Sequence, residues 1–232
     1  MNMTFDSIAA KGLPVVQKLG ALYVPSYVNE HNTEPNTIKE ELLALDWETR
    51  RSARREYFMS ETTRQYRYGA GESSELYNSR TFSFLVHHLM AFINRDFDLE
   101  LNVCFLNRYE DEKNHLGWHA DQFPGMRDDQ PIVVASFGAE REIWVKDKRG
   151  YACFVCRGSG RIRELRCTSC QGSGFLSKMQ PNERHPMNQR FWLEEGSLFI
   201  MPPGYQDTHM HRIPKHDRPC GWRISLTFRS FV

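Results

Sequence analysis

Long hydrophobic runs are missing from this 232-residue chain. Apolar stretches such as Ile132 to Ala135 fall far short of the ~20 residues a membrane span requires, so no membrane partner is expected. The N-terminal MNMTFDSIAAKGLPVVQ lacks a basic segment leading into an apolar one, so no secretory leader is expected. These absences predict a soluble, reducing intracellular setting, cytoplasmic or, in a eukaryote, nuclear. Charge of one sign is missing too. Lys+Arg 30 against Asp+Glu 29 leaves +1, so bulk charge does not announce nucleic acid and only local patches could. Low-complexity tracts are absent. What is present, 40% hydrophobic and 12% aromatic residues, is enough for a core and excludes a disordered chain. The length fits one large domain, or one domain with an insert. We expect a monomer.

Helical signals sit toward the front. Asn36 or Thr37 caps an expected helix reaching about Trp47. A second is expected from Ser79, because Phe82, Leu85, Val86, Leu89 and Ile93 recur at helical spacing. Residues 50–67 carry six arginines against Glu56 and Glu61, interleaved with Tyr57, Phe58 and Tyr66. That texture suits either a stacking surface for nucleic acid or a solvated face. Gly69-Ala70-Gly71 reads as a turn. Beyond residue 100 the texture changes to short apolar or alternating segments: Leu101–Tyr109, Ile132–Phe137, Glu142–Lys146, Ser197–Met201 and Arg223–Phe228. They read as strands of an antiparallel sandwich, so the fold class is α+β with an all-β back.

Cysteine is scarce and unevenly placed. Cys104 and Cys220 stand alone and read as small apolar groups. Cys153-Phe-Val-Cys156-Arg-Gly-Ser-Gly160 and Cys167-Thr-Ser-Cys170-Gln-Gly-Ser-Gly174 repeat one motif, CxxCxGxG. Two residues between cysteines let one turn present both sulfurs to one ion, and the glycines accept the angles of that turn. Cys153, Cys156, Cys167 and Cys170 are therefore expected to hold a structural Zn²⁺. A closed four-thiolate site has no open position for catalysis. The rival reading is a redox dithiol pair. The motif resembles half of the cysteine-rich region of the J-domain co-chaperones, and we infer a zinc knuckle from it rather than a chaperone. Lys146 to Lys178 holds eight Lys/Arg against two Asp/Glu, which suits a phosphate backbone or a solvated loop.

His119-Ala-Asp121 sets two metal-ligand types at alternate positions of an extended segment, so both side chains leave on one face. A distant histidine, His211 or its neighbour His209, would complete two histidines and one carboxylate. That set leaves positions of an Fe(II) ion open. Downstream, Arg223 and Arg229 lie six apart on an expected strand and so point to one face. A guanidinium inside a barrel needs a carboxylate partner, and a dicarboxylate cosubstrate would serve.

Asn107-Arg-Tyr109, His119-x-Asp121, FGAEREIWVK, His211-Arg-Ile-Pro-Lys and Arg223-x-Ser-x-Thr-Phe-Arg229 together resemble the AlkB family of Fe(II)/2-oxoglutarate dioxygenases, over about Arg64 to Phe231. The resemblance implies a double-stranded β-helix, or jelly roll, at residues 101–232. It implies N-terminal helices and a nucleotide-recognition lid at 1–100, with the zinc knuckle inserted at 150–178. It implies that His119, Asp121 and His211 bind Fe(II), with O₂ as cosubstrate. It implies that Arg223 pairs with the distal carboxylate of 2-oxoglutarate, that Asn107 and Tyr109 hydrogen-bond this cosubstrate, and that Arg229 supports its metal-binding end. Arg64, Tyr66 and Tyr68 would belong to the lid strand over the substrate base.

The implied activity is oxidative demethylation of N-alkylated bases in DNA or RNA, with release of formaldehyde. Two departures stand out. Ser225 occupies a position where the family usually has Asn. Phe123, two residues after the metal carboxylate, stands where well-known repair members carry an acid, and could stack on a base instead. The alternatives are the same chemistry on an unmethylated base or protein side chain, and a zinc-knuckle nucleic-acid-binding protein with an inactive oxygenase core.

Overall fold

The computed structural model describes residues 14–31, 35–50, 54–68, 75–177 and 189–232. The expected turn at Gly69-Ala70-Gly71 lies outside them. The described chain opens with β1 (Val16–Lys18), β2 (Ala21–Val24), α1 (Tyr27–His31), α2 (Pro35–Leu43), β3 (Glu48–Thr49) and β4 (Arg55–Ser60). A hairpin of β5 (Gln65–Tyr68) and β6 (Glu75–Asn78) follows, then α3 (Phe84–Phe97). The back half begins with β7 (Val103–Tyr109), β8 (Leu116–His119), β9 (Ile132–Gly138) and β10 (Arg141–Asp147). Four two-residue strands build the insert: β11 (Tyr151–Ala152), β12 (Arg161–Ile162), β13 (Leu165–Arg166) and β14 (Phe175–Leu176). The chain closes with β15 (Arg190–Leu193), β16 (Leu198–Met201), α4 (Tyr205–Thr208), β17 (His209–Ile213) and β18 (Arg223–Arg229).

The described residues form a main antiparallel sheet in the order β1-β2-β16-β9-β18-β7-β4-β3 and a smaller one, β15-β10-β17-β8. The two enclose an apolar layer that includes Tyr109, Ile132, Phe199 and Met201 from one side and Ile143, Val145, Leu193 and Ile213 from the other. This is the jelly roll, a double-stranded β-helix. Among the described residues no helix is long and apolar enough to cross a membrane.

The alternation of β18 explains how a polar site survives in the middle of this core. Successive side chains of a strand leave on opposite faces. Arg223, Ser225, Thr227 and Arg229 line the cavity between the sheets. Ile224, Leu226 and Phe228 leave on the other face and join a cluster with α3. β7 repeats the pattern, with Phe105, Asn107 and Tyr109 facing the cavity and Cys104 and Leu106 facing the helix. α3 contributes Val86, Leu89, Met90, Ile93 and Phe97 to that cluster. At ~1.5–3 kcal/mol for each buried apolar side chain, this face is what holds the helix to the sheet.

Several boundaries differ from the sequence expectation, and backbone hydrogen bonding gives the reasons. α3 begins at Phe84 rather than Ser79, because the Ser79 and Arg80 N–H groups are committed to the carbonyls of Arg64 and Phe58. α2 stops at Leu43 rather than near Trp47, whose indole N–H instead donates to the Leu42 carbonyl at 2.9 Å. β7 starts at Val103 because the Asn94 side-chain amide claims both the N–H and the carbonyl of Leu101, each at 2.9 Å. Strands β2, β4 and β17 add to those expected from the sequence, while β8 matches the extended segment expected at His119. The expected boundary at residue 100 does not divide the main sheet, since β1 to β4 all lie before it. Adding them covers strand edges that would otherwise be open.

Candidate metal centre

β8 and β17 are neighbours in the small sheet, and their register sets His119 directly opposite His211. Their rings lie 4.2 Å apart between centroids. Asp121, two residues beyond His119, completes the group. Its two carboxylate oxygens stand 3.7 Å from Nε2 of His119 and 3.7 Å from Nε2 of His211. All three ligand atoms fall within 4.8 Å of one another. Cis ligands ~2.1 Å from a metal stand ~3 Å apart, so closing on an ion asks for under an ångström of movement. The His119 Nδ1 sits 2.9 Å from the Gly117 carbonyl, which fixes the ring with Nε2 facing the centre. The rival His209 is turned elsewhere. It stacks on Tyr205 with centroids 4.5 Å apart, and Nδ1 bonds Thr208.

The electrostatics favour metal-ready protonation states. Burial, reinforced by the neighbouring His119, pushes His211 down to about 3. Burial lowers His119 as well. Burial alone would raise Asp121, but Arg229 and the two histidines outweigh it and hold the carboxyl at about 2. The Arg229 guanidinium reaches Asp121 Oδ1 at 2.9 Å, with both side chains buried. Gln206, from α4, accepts the Asp121 backbone N–H at 2.8 Å and so fixes the residue's position.

These shifts predict the acid behaviour of the metal-free protein. Between about pH 6.5 and 3 the unfolded chain binds a proton at His211 that the fold does not, so stability is full above 6.5 and falls as pH drops. Asp121 adds a further loss below 3.8, toward its folded value of about 2. Thermal unfolding across pH reads this directly. His211→Gln should flatten the upper part of that decline, and a wild-type curve flat from pH 6.5 to 3 would contradict the burial argument.

Arg223 stands deeper in the cavity, 1% exposed. One guanidinium nitrogen donates to Ser136 Oγ at 3.0 Å, while Nε and Nη1 have no hydrogen-bond partner among the described residues. Burial pushes this arginine down to about 10, and the neighbouring Tyr109 pulls it back up. A buried cation with unclaimed donors fits a carboxylate from outside the chain. Tyr109 packs beside it, with the guanidinium carbon 5.5 Å from the ring centroid. Asn107 lines the same cavity, opposite Ser225 in the register. Ser225 is itself buried against the cavity. Arg54 donates to the Asn107 side-chain oxygen at 2.5 Å and pairs with Glu56 at 2.6 Å. The Asn107 amide NH₂ is thereby left to point elsewhere as a donor.

The lid residues are placed less uniformly. Tyr66 is 2% exposed, packed among Phe58, Phe105 and Phe231, and meets Phe123 edge-on at 4.8 Å. Tyr66 and Phe123 both flank Arg229, at 5.7 and 5.6 Å. Arg64 does not reach the ligands. It donates to the Val232 carbonyl at 2.5 Å, while the Val232 N–H bonds Gly125 in the loop after Asp121. Tyr68 lies in β5. Sequence reasoning missed Gln206, Arg54 and Ser136. No local motif marks them, because each reaches the centre across a long sequence separation.

The four cysteines of the insert also converge, with all sulfurs within 4.8 Å of one another. The two halves are copies. The Gly160 N–H donates to Cys156 Sγ and the Gly174 N–H to Cys170 Sγ, both at 3.3 Å. Such bonds favour thiolate: burial would raise Cys170, but these donors and the neighbouring sulfurs bring it down to about 7. Gly160 and Gly174 hold positive φ, and a Cβ on either would collide with the carbonyl of Gly172 or Gly158. That close approach is why the motif needs its second glycine. The donor set fits tetrahedral Zn²⁺.

Comparison with known proteins agrees with this geometry. The 2OG-Fe(II) oxygenase superfamily matches residues 15–229. DNA oxidative demethylase ALKBH2 of Arabidopsis thaliana is 30% identical over 128 residues, 55% of this chain and 37% of the relative. ALKBH2 of Mus musculus is 27% identical over 131 residues, 56% of this chain and 44% of the relative. Alpha-ketoglutarate-dependent dioxygenase alkB homolog 3 of Rattus norvegicus is 26% identical over 129 residues, 56% and 35%. The matches thus span less than half the length of these curated relatives. Among solved structures, OsALKBH1 superposes with a TM-score of 0.55 at 12% identity, covering 94% of this chain and 100% of that one, a likeness of fold.

Proposed function

We infer, from the premise that this chain belongs to the 2OG-Fe(II) oxygenase superfamily and resembles its AlkB members, that it oxidatively demethylates N-alkylated bases in nucleic acid. The observation that carries the reading is one cavity lined by His119, Asp121, His211 and the underemployed cation Arg223. Fe(II), when bound with 2-oxoglutarate and O₂, would supply hydroxylation of the methyl carbon coupled to conversion of 2-oxoglutarate to succinate and CO₂, and the hydroxymethyl base would then release formaldehyde.

The protein's residues bind and position. His119, Asp121 and His211 would hold the ion. Arg223 takes the distal carboxylate of the cosubstrate, and Asn107 and Tyr109 donate hydrogen bonds to it. Arg229 keeps Asp121 ionised and in place. Phe123, half-buried against Tyr66 and two residues beyond Asp121, offers an apolar ring suited to the face of a base rather than to its charge, with the buried Tyr66 backing it. A target inside a duplex must be extruded at a cost of a few kcal/mol, which favours damaged or single-stranded substrates. In this reading residues 1–100 supply the lid and also the edge strands β1 to β4 of the main sheet, 101–232 supply the rest of the catalytic core, and the insert at 150–178 is a zinc knuckle.

The test is mass-spectrometric. Iron-loaded protein with 2-oxoglutarate and ascorbate is incubated with methylated DNA and RNA oligonucleotides carrying cationic and neutral methylated bases. Loss of one methyl mass, with formaldehyde, is the expected result. Succinate without demethylation of any member would move the target off methylated bases. Neither product would favour the binding-protein alternative.

The cosubstrate assignment makes its own prediction. Arg223→Met removes the charge but keeps much of the volume. Losing a charge-assisted contact worth ~1.5–3 kcal/mol should raise the KM for 2-oxoglutarate roughly 10- to 100-fold. Iron affinity, read by titration without cosubstrate, should hold. An unchanged KM would place the carboxylate elsewhere.

A further inference from the structure

Positive charge in this protein is concentrated beside the mouth of the jelly roll. Residues 146–178 carry eight of its 30 Lys/Arg but two of its 29 Asp/Glu, so the rest of the chain is left with 22 against 27. Arg157, Arg161 and Arg163 are all exposed on the zinc knuckle, and none is ion-paired among the described residues. Elsewhere arginines are largely matched: Arg50, Arg55, Arg80, Arg127 and Arg229 each face a carboxylate. Apolar side chains stand out among the knuckle's cations. Phe154 is 54% exposed and Leu165 76%.

Topology decides where this surface points. β8 and β10 both run antiparallel to β17, so they run the same way and end at the same rim. β8 ends there with the ligand His119, and β10 ends there by entering the knuckle. The Lys148 ammonium donates to the Gln122 side chain at 3.2 Å, next to Asp121. The Tyr151 ring meets Trp118 edge-on at 6.1 Å on the outer face of β8, opposite His119, and so ties the base of the knuckle to the end of that strand. The knuckle therefore rises from the lip of the cavity into which a target base must pass.

We propose that the zinc knuckle is a second nucleic-acid contact, which grips the single strand flanking the target base. Arg157, Arg161 and Arg163 engage phosphates, and Phe154 and Leu165 offer apolar faces to the bases. Cations interleaved with apolar side chains suit a single strand, whose bases are open to contact, better than a duplex. The assignment rests on the demethylase reading for what enters the cavity, but its binding test does not depend on turnover.

The test uses the full chain loaded with iron and zinc. The variant is Arg157→Asn/Arg161→Gln/Arg163→Asn. Asn is chosen at 157 and 163 because both hold positive φ, 52 and 55, which Asn tolerates. Arg166 is left alone, since its Nε braces the Gln171 carbonyl at 2.7 Å. Zinc content and melting midpoint, equal to wild type, establish that the knuckle is still folded. Fluorescence anisotropy then measures affinity for a long unmodified single-stranded oligonucleotide across salt concentrations. Each lost phosphate contact lowers the salt slope by about 0.7, so three should lower it by about 2 and weaken binding roughly tenfold.

In parallel, KM is measured for a long methylated strand and for a methylated trinucleotide too short to leave the cavity. We expect KM for the long strand to rise and that for the trinucleotide to hold. An unchanged salt slope, or an equal rise for both substrates, overturns the proposal. If wild type demethylates neither substrate, the demethylase reading fails, while the salt slope still decides the knuckle's role.

Discussion

Asp121→Ala is expected to abolish turnover and to weaken the fold in one step. The carboxylate is the only anionic group of the three ligands, and without it two neutral imidazoles remain. Both demethylation and substrate-free turnover of 2-oxoglutarate should fall to background. The structural cost has a separate origin. Asp121 and Arg229 are 3% exposed each and form a 2.9 Å pair. Removing the carboxylate takes a buried ion-pair partner from Arg229, which costs ~3–5 kcal/mol. Metal-free urea unfolding should show that loss.

Asp121→Asn separates the two effects. Its side-chain oxygen can still accept from Arg229, so the stability loss should be clearly smaller, while activity stays at background. If Asp121→Ala turned over 2-oxoglutarate, the metal assignment would fail. If both variants were as stable as wild type, Arg229 would have to be satisfied by other groups.

Cys167→Ser is the second large effect, and it should be local. The insert has almost no core of its own. Its buried cluster is the four cysteines with Leu176 packed against them, and its strands are two residues each. A structural zinc supplies ~10–16 kcal/mol in such modules, so the ion is the fold. Bound zinc should drop from about one equivalent to near none. Limited proteolysis should then cut within residues 150–178. The jelly roll should survive, because β10 and β15, on either side of the insert, pair directly with each other from Arg141 to Trp144. The readout is metal analysis beside a digestion time course. A variant that kept its zinc and resisted protease would mean that three thiolates suffice or that the insert packs by other means.

The jelly roll buries two arginines to different ends. Arg141 and Arg223 are among the largest fully buried side chains of the protein. Arg141 spends its donors on the carbonyls of Asp111, Asn114 and Pro214, at 3.2, 2.9 and 2.5 Å, and so is a structural cation. Arg223 keeps donors unspent in the cavity. The resemblance singles out Arg223 and not Arg141 in the sequence, and the surroundings give the physical reason: one guanidinium is spent on backbone carbonyls and the other is left with donors for a ligand.

The division between sequence and structure follows from the range of the interactions involved. Local chemistry was fully legible. The repeated CxxCxGxG encodes its own turn, so the cysteine cluster could be read from the residues alone. HxD marks two of the ligands, although β8 ends at His119 and Asp121 beyond it is set by Gln206 and Arg229, and the alternation of Arg223 to Arg229 separates cavity from core within a single strand. What the sequence could not decide was pairing across distance. Spacing alone leaves His209 and His211 equivalent and only the His211-Arg-Ile-Pro-Lys resemblance favours His211; the physical reason is tertiary, since the register of β17 against β8 sets His211 opposite His119 while His209 is captured by Tyr205. Gln206, Ser136 and Arg54 touch site residues 53 to 87 positions away in the chain, and no local spacing predicts such contacts. The lip of the cavity is likewise a tertiary fact. Charge counting finds a basic insert, but only the parallel run of β8 and β10 on either side of β17 brings it beside the metal ligands.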